Sequence, residues 1–373
     1  MSAPIARSWQ VLRESFRNRR RYHAALAAKA GRRLLGRYDA QLAGAYFVTT
    51  ERGVLHLEGG RIRQAFDVPC YGIAFHGDHF YVSAWFGDRT SLMRGQRGAL
   101  LAGSGALGLE ELYGLDVRRS NERIHQIYAG QDGLWIANTG RNTIAQFDWQ
   151  SGELRLELAP FHDEMGAPVL FDNHHINSVS AYGEVVLFVA YGVGGGSLLC
   201  VCEGRRLTGY RYEHMGVHDI FLSEEGELLF CDTFARKCSA RDGVVHRGAD
   251  EIDPEGFRNG GRFPRGLAGD GRELLIGSSF EGQGRERFRG RGQLVVVRAG
   301  RVSGTIELPA AQVYQIVSAE GRHVRPPASA PTPDEVRARF EAAFGAAVFE
   351  SRLSELPADY LPHRAFPGAR VKA

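Results

Sequence analysis

The chain has 373 residues, of which 43% are hydrophobic and 24% charged, a composition that fits a folded globular protein and excludes collagen-like and disordered chains. It has no run approaching the roughly 18 apolar residues of a membrane-spanning helix, no secretory signal and an odd number of cysteines, so we expect a cytoplasmic protein without a disulfide framework. The net charge is +3, but residues 1–40 carry +8 and the remaining chain −5, which confines any basic function to the N-terminal segment.

The N-terminal segment has the pattern of an amphipathic helix. Within residues 4–22, four apolar side chains recur at spacings of four, three and four, and arginines lie beside that stripe. One interpretation is a helix that binds an anionic membrane surface and makes the protein peripheral there; the other is a helix docked on the body with a solvated basic face. No nucleic-acid partner is expected, because the body is acidic and carries no nucleic-acid-binding motif. We assign this extension to residues 1–43, and its stripe consists of Ile5, Trp9, Leu12 and Phe16.

A unit of roughly 40–50 residues recurs along the middle of the chain. Each copy opens with a short apolar strand, passes a Gly-containing turn and enters a second apolar strand. The 47 glycines agree with many tight turns, and therefore with many short strands. The opening strands begin at Tyr71, His125, Ile176, His218 and Arg265.

Two remnants of the repeat lie at opposite ends of this region. One opening strand, residues 314–318, has no complete unit after it, while three strands at residues 45–49, 54–58 and 62–68 have no opening strand before them. Together they make one four-stranded blade, and such closure removes the sheet edges that invite aggregation. We therefore predict an all-β fold, a six-bladed β-propeller over residues 44–322, closed by three N-terminal strands and one C-terminal strand and flanked by N- and C-terminal helices.

Several segments resemble known propeller repeats. Residues 136–148 are similar to the second and third strands of an NHL repeat, and residues 230–237 are a looser copy. Residues 263–268 and 306–316 are similar to a family of bacterial propellers of unknown function. This resemblance to NHL and SMP-30-like propellers covers about residues 45–320. It implies a fold rather than an activity, because propellers host unrelated functions.

The segment after the propeller, residues 323–373, is predicted to pack on it as a helix followed by an extended tail. Thr332 has the position of an N-cap, with Pro333 at the first helical position and carboxylates in the first turn. The apolar face of this helix is formed by Val336, Phe340, Phe344, Val348 and Phe349.

The opening strands of a propeller line its central channel, so their residues are candidates for a binding site. Aligning these strands on their apolar residues places one residue of each at an equivalent axial position, and five of the six are polar. Because these residues differ between blades, they predict an asymmetric site for a small-molecule ligand. The aligned residues are Gly72, Gln126, Asn177, Asp219, Arg265 and Gln315.

Histidines indicate which chemistry such a site would carry. His125, His175 and His218 stand at the starts of three successive opening strands, and neutral imidazole is the commonest metal ligand. His174 points to the opposite side of its strand from His175, so we assign His175 to the axis. The three axial histidines are predicted to bind a divalent metal ion, with zinc, iron and calcium as candidates.

Three further residues complete the predicted site. Arg265 is expected to hold a carboxylate or an oxyanion with its planar guanidinium, and Tyr71 or Tyr314 to serve as the acid or base. The arrangement resembles, in design, the peptidyl-amidoglycolate lyase, whose zinc sits on three axial histidines near an Arg and a Tyr. The SMP-30-type lactonase is a second parallel: Asn177 and Asp219 match two of its ion ligands, while Gly72 replaces the Glu of its first blade.

Two functions are consistent with these patterns. The first is a metal-dependent hydrolase or lyase that acts on a small anionic substrate at the axial mouth. The alternative is a non-catalytic binding or scaffold propeller, held at a membrane by residues 4–22. Histidines and amides at a channel mouth also bond to each other, to backbone groups and to water, so residue types alone leave both functions open.

Overall fold

The computed structural model describes residues 18–31, 33–87, 89–116, 124–170, 173–193, 196–214, 216–233, 237–240, 262–280 and 286–356. Within these ranges the strands form six antiparallel sheets, of which five have four or five strands and one has three. The innermost strand of each sheet lies beside the innermost strand of the next, so the sheets surround a common axis. The fold is an all-β propeller with few helices.

Sheet 1 joins the two ends of the propeller. Its inner strands β2 (Tyr46–Thr50) and β24 (Gln315–Ser318) pair antiparallel, with Thr49 opposite Gln315. The predicted closure by three N-terminal strands and one C-terminal strand is therefore present. The sheet continues outward through β3 (Gly53–Glu58) and β4 (Arg61–Phe66).

A fifth strand that the sequence analysis did not predict covers the outer edge of sheet 1. β1 (Arg33–Arg37) pairs with β4, and its Leu35 packs against the apolar cluster that contains Ile62. This strand lies inside the segment that we interpreted as a helical extension. In the described part of that segment, helix α1 spans residues 18–26.

Sheets 2 to 6 follow in chain order around the axis, and each runs from its innermost strand outward. Sheet 2 contains β5 (Cys70–His76), β6 (His79–Trp85), β7 (Arg89–Gln96) and β8 (Glu110–Asp116). Sheet 3 contains β9 (Ile124–Ala129), β10 (Leu134–Asn138), β11 (Thr143–Phe147) and β12 (Leu154–Ala159). Sheet 4 contains β13 (Ser178–Tyr182), β14 (Val185–Val193), β15 (Gly196–Glu203) and β16 (Arg206–Tyr212).

The last two sheets differ in how many strands the structure describes. Sheet 5 has three described strands, β17 (Val217–Leu222), β18 (Leu228–Asp232) and β19 (Lys237–Ala240). Sheet 6 has four, β20 (Arg262–Gly269), β21 (Leu274–Phe280), β22 (Gln293–Arg298) and β23 (Arg301–Glu307). Alternate residues of the strands fill the spaces between neighbouring sheets, as the two-residue period of a strand requires.

Helices pack on the outside of the ring. α1 docks on sheet 2 through Tyr22, whose hydroxyl donates to Glu111 and whose ring contacts Phe86, while residues 19–21, all arginine, are exposed. The apolar stripe predicted for this segment lies outside the described residues. A short α2 (Arg97–Ala102) connects β7 to β8. Across the described part of the chain, every helix is too short or too polar to cross a membrane.

The C-terminal helix α3 (Pro333–Phe344) begins at its predicted N-cap. Thr332 and Glu335 form a capping box, and Val336 packs against sheet 4. The helix ends sooner than predicted, because Gly345 adopts a φ of +80°, which does not continue a helix. Val348, predicted for the apolar face, is 53% exposed.

Phe349, the last residue predicted for the helical face, begins a strand instead. β25 (Phe349–Arg352) pairs with β16 at the outer edge of sheet 4, and β26 (Ser354–Glu355) pairs with β12 at the outer edge of sheet 3. Their backbone groups satisfy edges that would otherwise be open. The extended tail predicted after residue 356 lies outside the described residues.

Candidate functional site

Most of the predicted site residues meet around one small polar cavity on the axis. The cavity has a volume of about 10 Å³, enough for about one water molecule. Anything larger must lie on the open side of this cavity, which we call the mouth. The residues that line the cavity are Tyr71, His125, Gln126, Asn177, His218, Asp219, Arg265 and Tyr314.

Arg265 supplies a cation to the cavity. The side chain is half-buried near the start of β20, and its guanidinium carbon lies 5.2 Å from the centroid of the Tyr314 ring. Within the described residues, no carboxylate pairs with this guanidinium and no acceptor receives a hydrogen bond from it. Among the described residues, its five N–H groups thus lack an acceptor, and their planar arrangement fits a carboxylate.

His218 presents a hydrogen-bond acceptor to the cavity. Its Nδ1 lies 2.7 Å from the carbonyl oxygen of Gly216 and 2.9 Å from Oγ1 of Thr233. A carbonyl can only accept, so Nδ1 carries the proton of the neutral ring and Nε2 is the acceptor. Burial, together with the charge of Arg265, holds the pKa of His218 well below its usual value. The imidazole is therefore neutral near pH 7 and can act as a base.

Below the mouth, hydrogen bonds between sheets close the axis. Asp219 Oδ1 accepts from Nε2 of Gln126 at 3.0 Å, and its Oδ2 accepts from the backbone N–H of Gly266 at 2.7 Å. Gln126 in turn accepts from Ser178 and Val179 with its Oε1. The Gln126 side chain thus connects sheets 3, 4 and 5. Burial raises the pKa of Asp219 to about 7, although the bond from Gly266 opposes the shift.

Gln315 faces away from the cavity, deeper along the axis. Its Oε1 accepts from the N–H of Ile73 at 2.9 Å and its Nε2 donates to the carbonyl of Ile127 at 2.8 Å. A Cβ at Gly72 would lie only 2.8 Å from this Oε1, which explains why no side chain occupies that axial position. The predicted axial ring is therefore divided between the cavity and a deeper layer.

His323, which the sequence analysis did not single out, completes the deeper layer. Its Nδ1 donates to the carbonyl of Ile316, and its ring stacks between Tyr128 and Phe221 at centroid distances of 5.8 and 5.6 Å. Burial lowers its pKa to about 4. Nothing in the repeat pattern marks this residue, because it follows the last inner strand. We call Gln126, Asp219, Gln315 and His323 the plug.

Asn177 has one satisfied and one unsatisfied polar atom at the cavity. Its Nδ2 donates to the carbonyl of Val217 at 2.9 Å, whereas its Oδ1 has no hydrogen-bond partner among the described residues. The side chain is only 3% exposed. A buried acceptor of this kind is stabilised by a donor from water or ligand.

The predicted metal ligands are close neighbours but do not surround a common point. The rings of His125 and His175 are in T-shaped contact, with centroids 5.0 Å apart. The ring of Tyr191 contacts both His175, at 4.5 Å, and His218, at 6.2 Å. In the part of the chain that the structure describes, no three His, Cys, Asp or Glu side chains are grouped as a metal site requires. Metal binding by these histidines stays a prediction, and no chemical step below uses a metal.

Two axial residues have a strained backbone. His175 and Asp219 adopt left-handed φ angles of +45° and +57°. Non-glycine residues rarely adopt this conformation, which recurs at binding and catalytic sites. At Asp219, a register shift in β17 between His218 and Phe221 accompanies the unusual angle. The local backbone thus turns this carboxylate toward the axis.

Two aromatic residues at the mouth were missed in the sequence analysis. Trp85 lies at the end of β6 and contacts the Tyr71 ring at 6.3 Å, and Tyr191 lies near the end of β14. A second strand runs antiparallel to the opening strand, so its last residues reach the mouth. An aromatic residue at the end of the second strand of a repeat is the sequence signal that would have identified both Trp85 and Tyr191.

Comparison with known proteins shows no matching family profile and no matching curated protein. A solved protein of unknown function from Bacteroides caccae is similar at 12% identity, covering 74% of this chain and 98% of that one, with a TM-score of 0.48. The nidogen/laminin complex is similar at 10% identity over 73% and 97% of the two chains, with a TM-score of 0.46. Virginiamycin B lyase from Staphylococcus aureus is similar at 12% identity over 64% and 70%, with a TM-score of 0.38. At these values the similarities carry no argument about activity.

Proposed function

We propose that the mouth binds a small organic anion and acts on it as a hydrolase or lyase through acid–base catalysis. The observation that carries this proposal is the Arg265 guanidinium, which lines the cavity without an acceptor among the described residues. A desolvated charge is unfavourable unless it is paired. A carboxylate would accept two parallel hydrogen bonds from the guanidinium and supply the missing counter-charge.

His218 and Tyr314 are the proposed proton-transfer groups. Nε2 of neutral His218 is an acceptor at the cavity, and burial raises the pKa of Tyr314, which therefore keeps its proton. In an elimination, His218 takes the proton from the carbon next to the carboxylate. The electrons of that C–H bond form a double bond, and the leaving oxygen departs with the proton of Tyr314. In hydrolysis, His218 takes a proton from the attacking water instead.

Tyr71 is the second candidate for the acid. Its ring lies 4.5 Å from that of Tyr314 and is stacked on His125 at 5.1 Å. Positioned acids and bases contribute roughly 10²–10⁴-fold to a rate. Substitution of Tyr314 and of Tyr71 by Phe therefore distinguishes the two, because only the variant that lacks the acid loses this factor.

The test compares charge removal at the mouth with the same change elsewhere. Arg265→Gln removes the proposed anion-binding group, and Arg272→Gln is the matched control, because Arg272 is 73% exposed and paired with Asp270. Calorimetry against a panel of small carboxylates is expected to show at least about tenfold weaker binding for R265Q only. Equal binding by R265Q and wild type would contradict the proposal.

Two further measurements separate the alternative functions. His218→Gln is expected to retain carboxylate binding and lose turnover; a wild type that binds but consumes none of the carboxylates is a binding protein. Elemental analysis of untagged protein tests the metal prediction. Near-stoichiometric zinc, iron or calcium that is lost in H218Q would support a metal-dependent form of the activity.

Peripheral membrane binding through the N-terminal segment has its own test. The described part of that segment exposes Arg19, Arg20 and Arg21 on α1, and exposed cations are attracted to anionic lipid. If the helix binds membranes, the intact chain sediments with phosphatidylserine vesicles but not with neutral ones. Replacing all three arginines by Gln then reduces sedimentation. No sedimentation of the intact chain would contradict the proposal.

We also propose that the ring has six blades of the NHL and SMP-30-like kind, with sheet 5 as one of them. A hydrogen bond that involves a side-chain hydroxyl joins each pair of neighbouring sheets, and such a repeated link supports equivalent positions in one ring. A crystal structure tests this count through a fourth strand in sheet 5. The donor and acceptor pairs are Thr49 to Tyr71, Ser83 to His125, Thr139 to Ile176, Val217 to Ser197, Thr233 to Pro264 and Ser279 to Val313.

A further inference from the structure

Six side-chain rings form an unbroken series at the mouth, and a seventh, that of Trp85, contacts the series at Tyr71. Neighbouring rings in the series have centroids between 4.5 and 6.3 Å apart. Such separations are those of interacting aromatic pairs. We call this series the aromatic collar. In order of contact it consists of Tyr314, Tyr71, His125, His175, Tyr191 and His218, with Trp85 beside Tyr71.

Arg265 closes the collar between its two ends. The guanidinium lies over the Tyr314 ring at 5.2 Å, and its charge also acts on His218. Tyr314 belongs to the inner region of sheet 1, His218 to β17 of sheet 5, and Arg265 to β20 of sheet 6 between them. The mouth is therefore a ring of flat aromatic groups interrupted by one planar cation.

The collar, rather than the channel, must hold the body of a ligand. The cavity below it has a volume of only about 10 Å³. Tyr71 and Tyr314 are 6% and 7% exposed, so each offers only a small part of its surface to the mouth. Trp85, His175 and Tyr191 are more exposed, so most of the collar surface that a ligand can contact belongs to flat rings, which pack best against another flat ring.

We infer that this site binds planar, conjugated carboxylates, the class to which the unsaturated acid released by the proposed elimination belongs and for which an aromatic acid is a stable probe. This inference rests on the proposed anion binding at Arg265 and adds the shape of the ligand. The carboxylate pairs with the guanidinium, and the flat ring lies against the collar in an offset or edge-to-face arrangement. A saturated ring of the same size is puckered and cannot make these contacts.

Three small molecules distinguish the effect of ligand charge on affinity from the effect of ligand planarity. Benzoate is planar and anionic, cyclohexanecarboxylate is anionic but puckered, and benzamide is planar but neutral. Calorimetry with the full wild-type chain is expected to show benzoate binding about tenfold more tightly than cyclohexanecarboxylate, and benzamide more weakly than either. Arg265→Gln is expected to weaken both carboxylates and leave benzamide unchanged.

Each outcome of the probe experiment supports or overturns a particular statement. Equal affinities for the two carboxylates would overturn planarity and leave the anion site standing. Equal affinities for benzoate and benzamide would overturn the anion site and leave planarity standing. No binding of any probe to the wild type would overturn both.

Substitutions in the collar give a second test. Tyr71→Leu is expected to reduce the preference for benzoate over cyclohexanecarboxylate to less than about threefold, with little change for cyclohexanecarboxylate itself. Tyr191→Leu, at a half-buried position in another sheet, provides the same test if Y71L does not fold. Tyr38→Leu is the matched control, because Tyr38 packs beside sheet 1 away from the mouth. An unchanged preference in both collar variants would contradict the inference.

Discussion

The mouth and the plug lie on the same axis and draw their residues from the same inner strands, yet they use polar groups in opposite ways. In the plug, the Gln315 amide is satisfied at both ends, by Ile73 and Ile127. At the mouth, Arg265 and the Oδ1 of Asn177 have no hydrogen-bond acceptor or donor among the described residues, although Arg265 contacts the Tyr314 ring. Buried polar groups that are hydrogen-bonded to each other hold neighbouring sheets together, whereas buried groups without such bonds are stabilised by a water or ligand that binds to them. The two layers should therefore respond differently to substitution.

The largest expected difference is in stability. Gln315→Ala leaves the N–H of Ile73 and the carbonyl of Ile127 buried without partners, which lowers the free energy of unfolding by about 2–6 kcal/mol. Arg265→Gln removes no described hydrogen bond and should change it by less than about 1 kcal/mol. Urea unfolding followed by circular dichroism measures both. Equal losses in the two variants would show that the layers do not differ as described.

The plug should also make the fold sensitive to acid. The pKa of His323 falls from 6.5 to about 4 on folding, so the unfolded chain binds the proton first as pH falls. The contribution of neutral His323 to the free energy of unfolding is fully present above pH 6.5. It is lost as the pH falls from 6.5 to 4, a decrease on the order of 3 kcal/mol. His323→Gln should remove this part of the pH dependence.

The control for the acid experiment is the comparison with wild type over the same pH range. Asp219 acts in the opposite direction, because its folded pKa of about 7 lies above the ordinary value of 3.8. Its contribution is present at low pH and is lost as pH rises toward 7. Asp219 titrates in both proteins, so the difference between their unfolding curves isolates His323. Parallel curves for the two proteins would contradict the prediction.

A smaller effect is expected at the strained mouth residue. Asn tolerates the left-handed φ of His175 better than His does, but His175→Asn also removes the ring contacts with His125 and Tyr191. The two effects oppose each other, so the free energy of unfolding should change by less than about 1 kcal/mol. His174→Asn is the neighbouring control, since that ring stacks on Phe161 at 4.0 Å and its loss should destabilise the fold. Thermal unfolding distinguishes them. A clear loss of stability in H175N would indicate that this residue supports the structure instead of the site.

The sequence predicts the cavity well where the repeat decides the geometry. Every inner strand starts at the same end of the axis, so residues at equivalent positions, such as Gln126 and Asn177, reach one cavity. Gln315 shows the limit of this reasoning. Its aligned position is axial, but its side chain turns toward Ile127 and His323. The residue pattern of a single strand does not predict this orientation.

Segments outside the repeat were the least predictable. β1 and β25 form only because the outer edges of sheets 1 and 4 offer unpaired backbone groups. Such pairing depends on contacts far apart in the chain and has little local signature. His323 reaches the axis for the same reason: its place is set by stacking against Tyr128 and Phe221, which lie in other sheets.

The pairing of β2 with β24, which closes sheet 1, has a consequence for folding during synthesis. Gln315 follows its partner Thr49 by 266 residues. At about 5–20 residues per second, a ribosome needs roughly 13–53 seconds to produce that stretch. Throughout this interval β2 has an open inner edge, and an unpaired strand edge is a template for association with other chains. The nascent chain is therefore expected to depend on chaperones until β24 emerges and the ring can close.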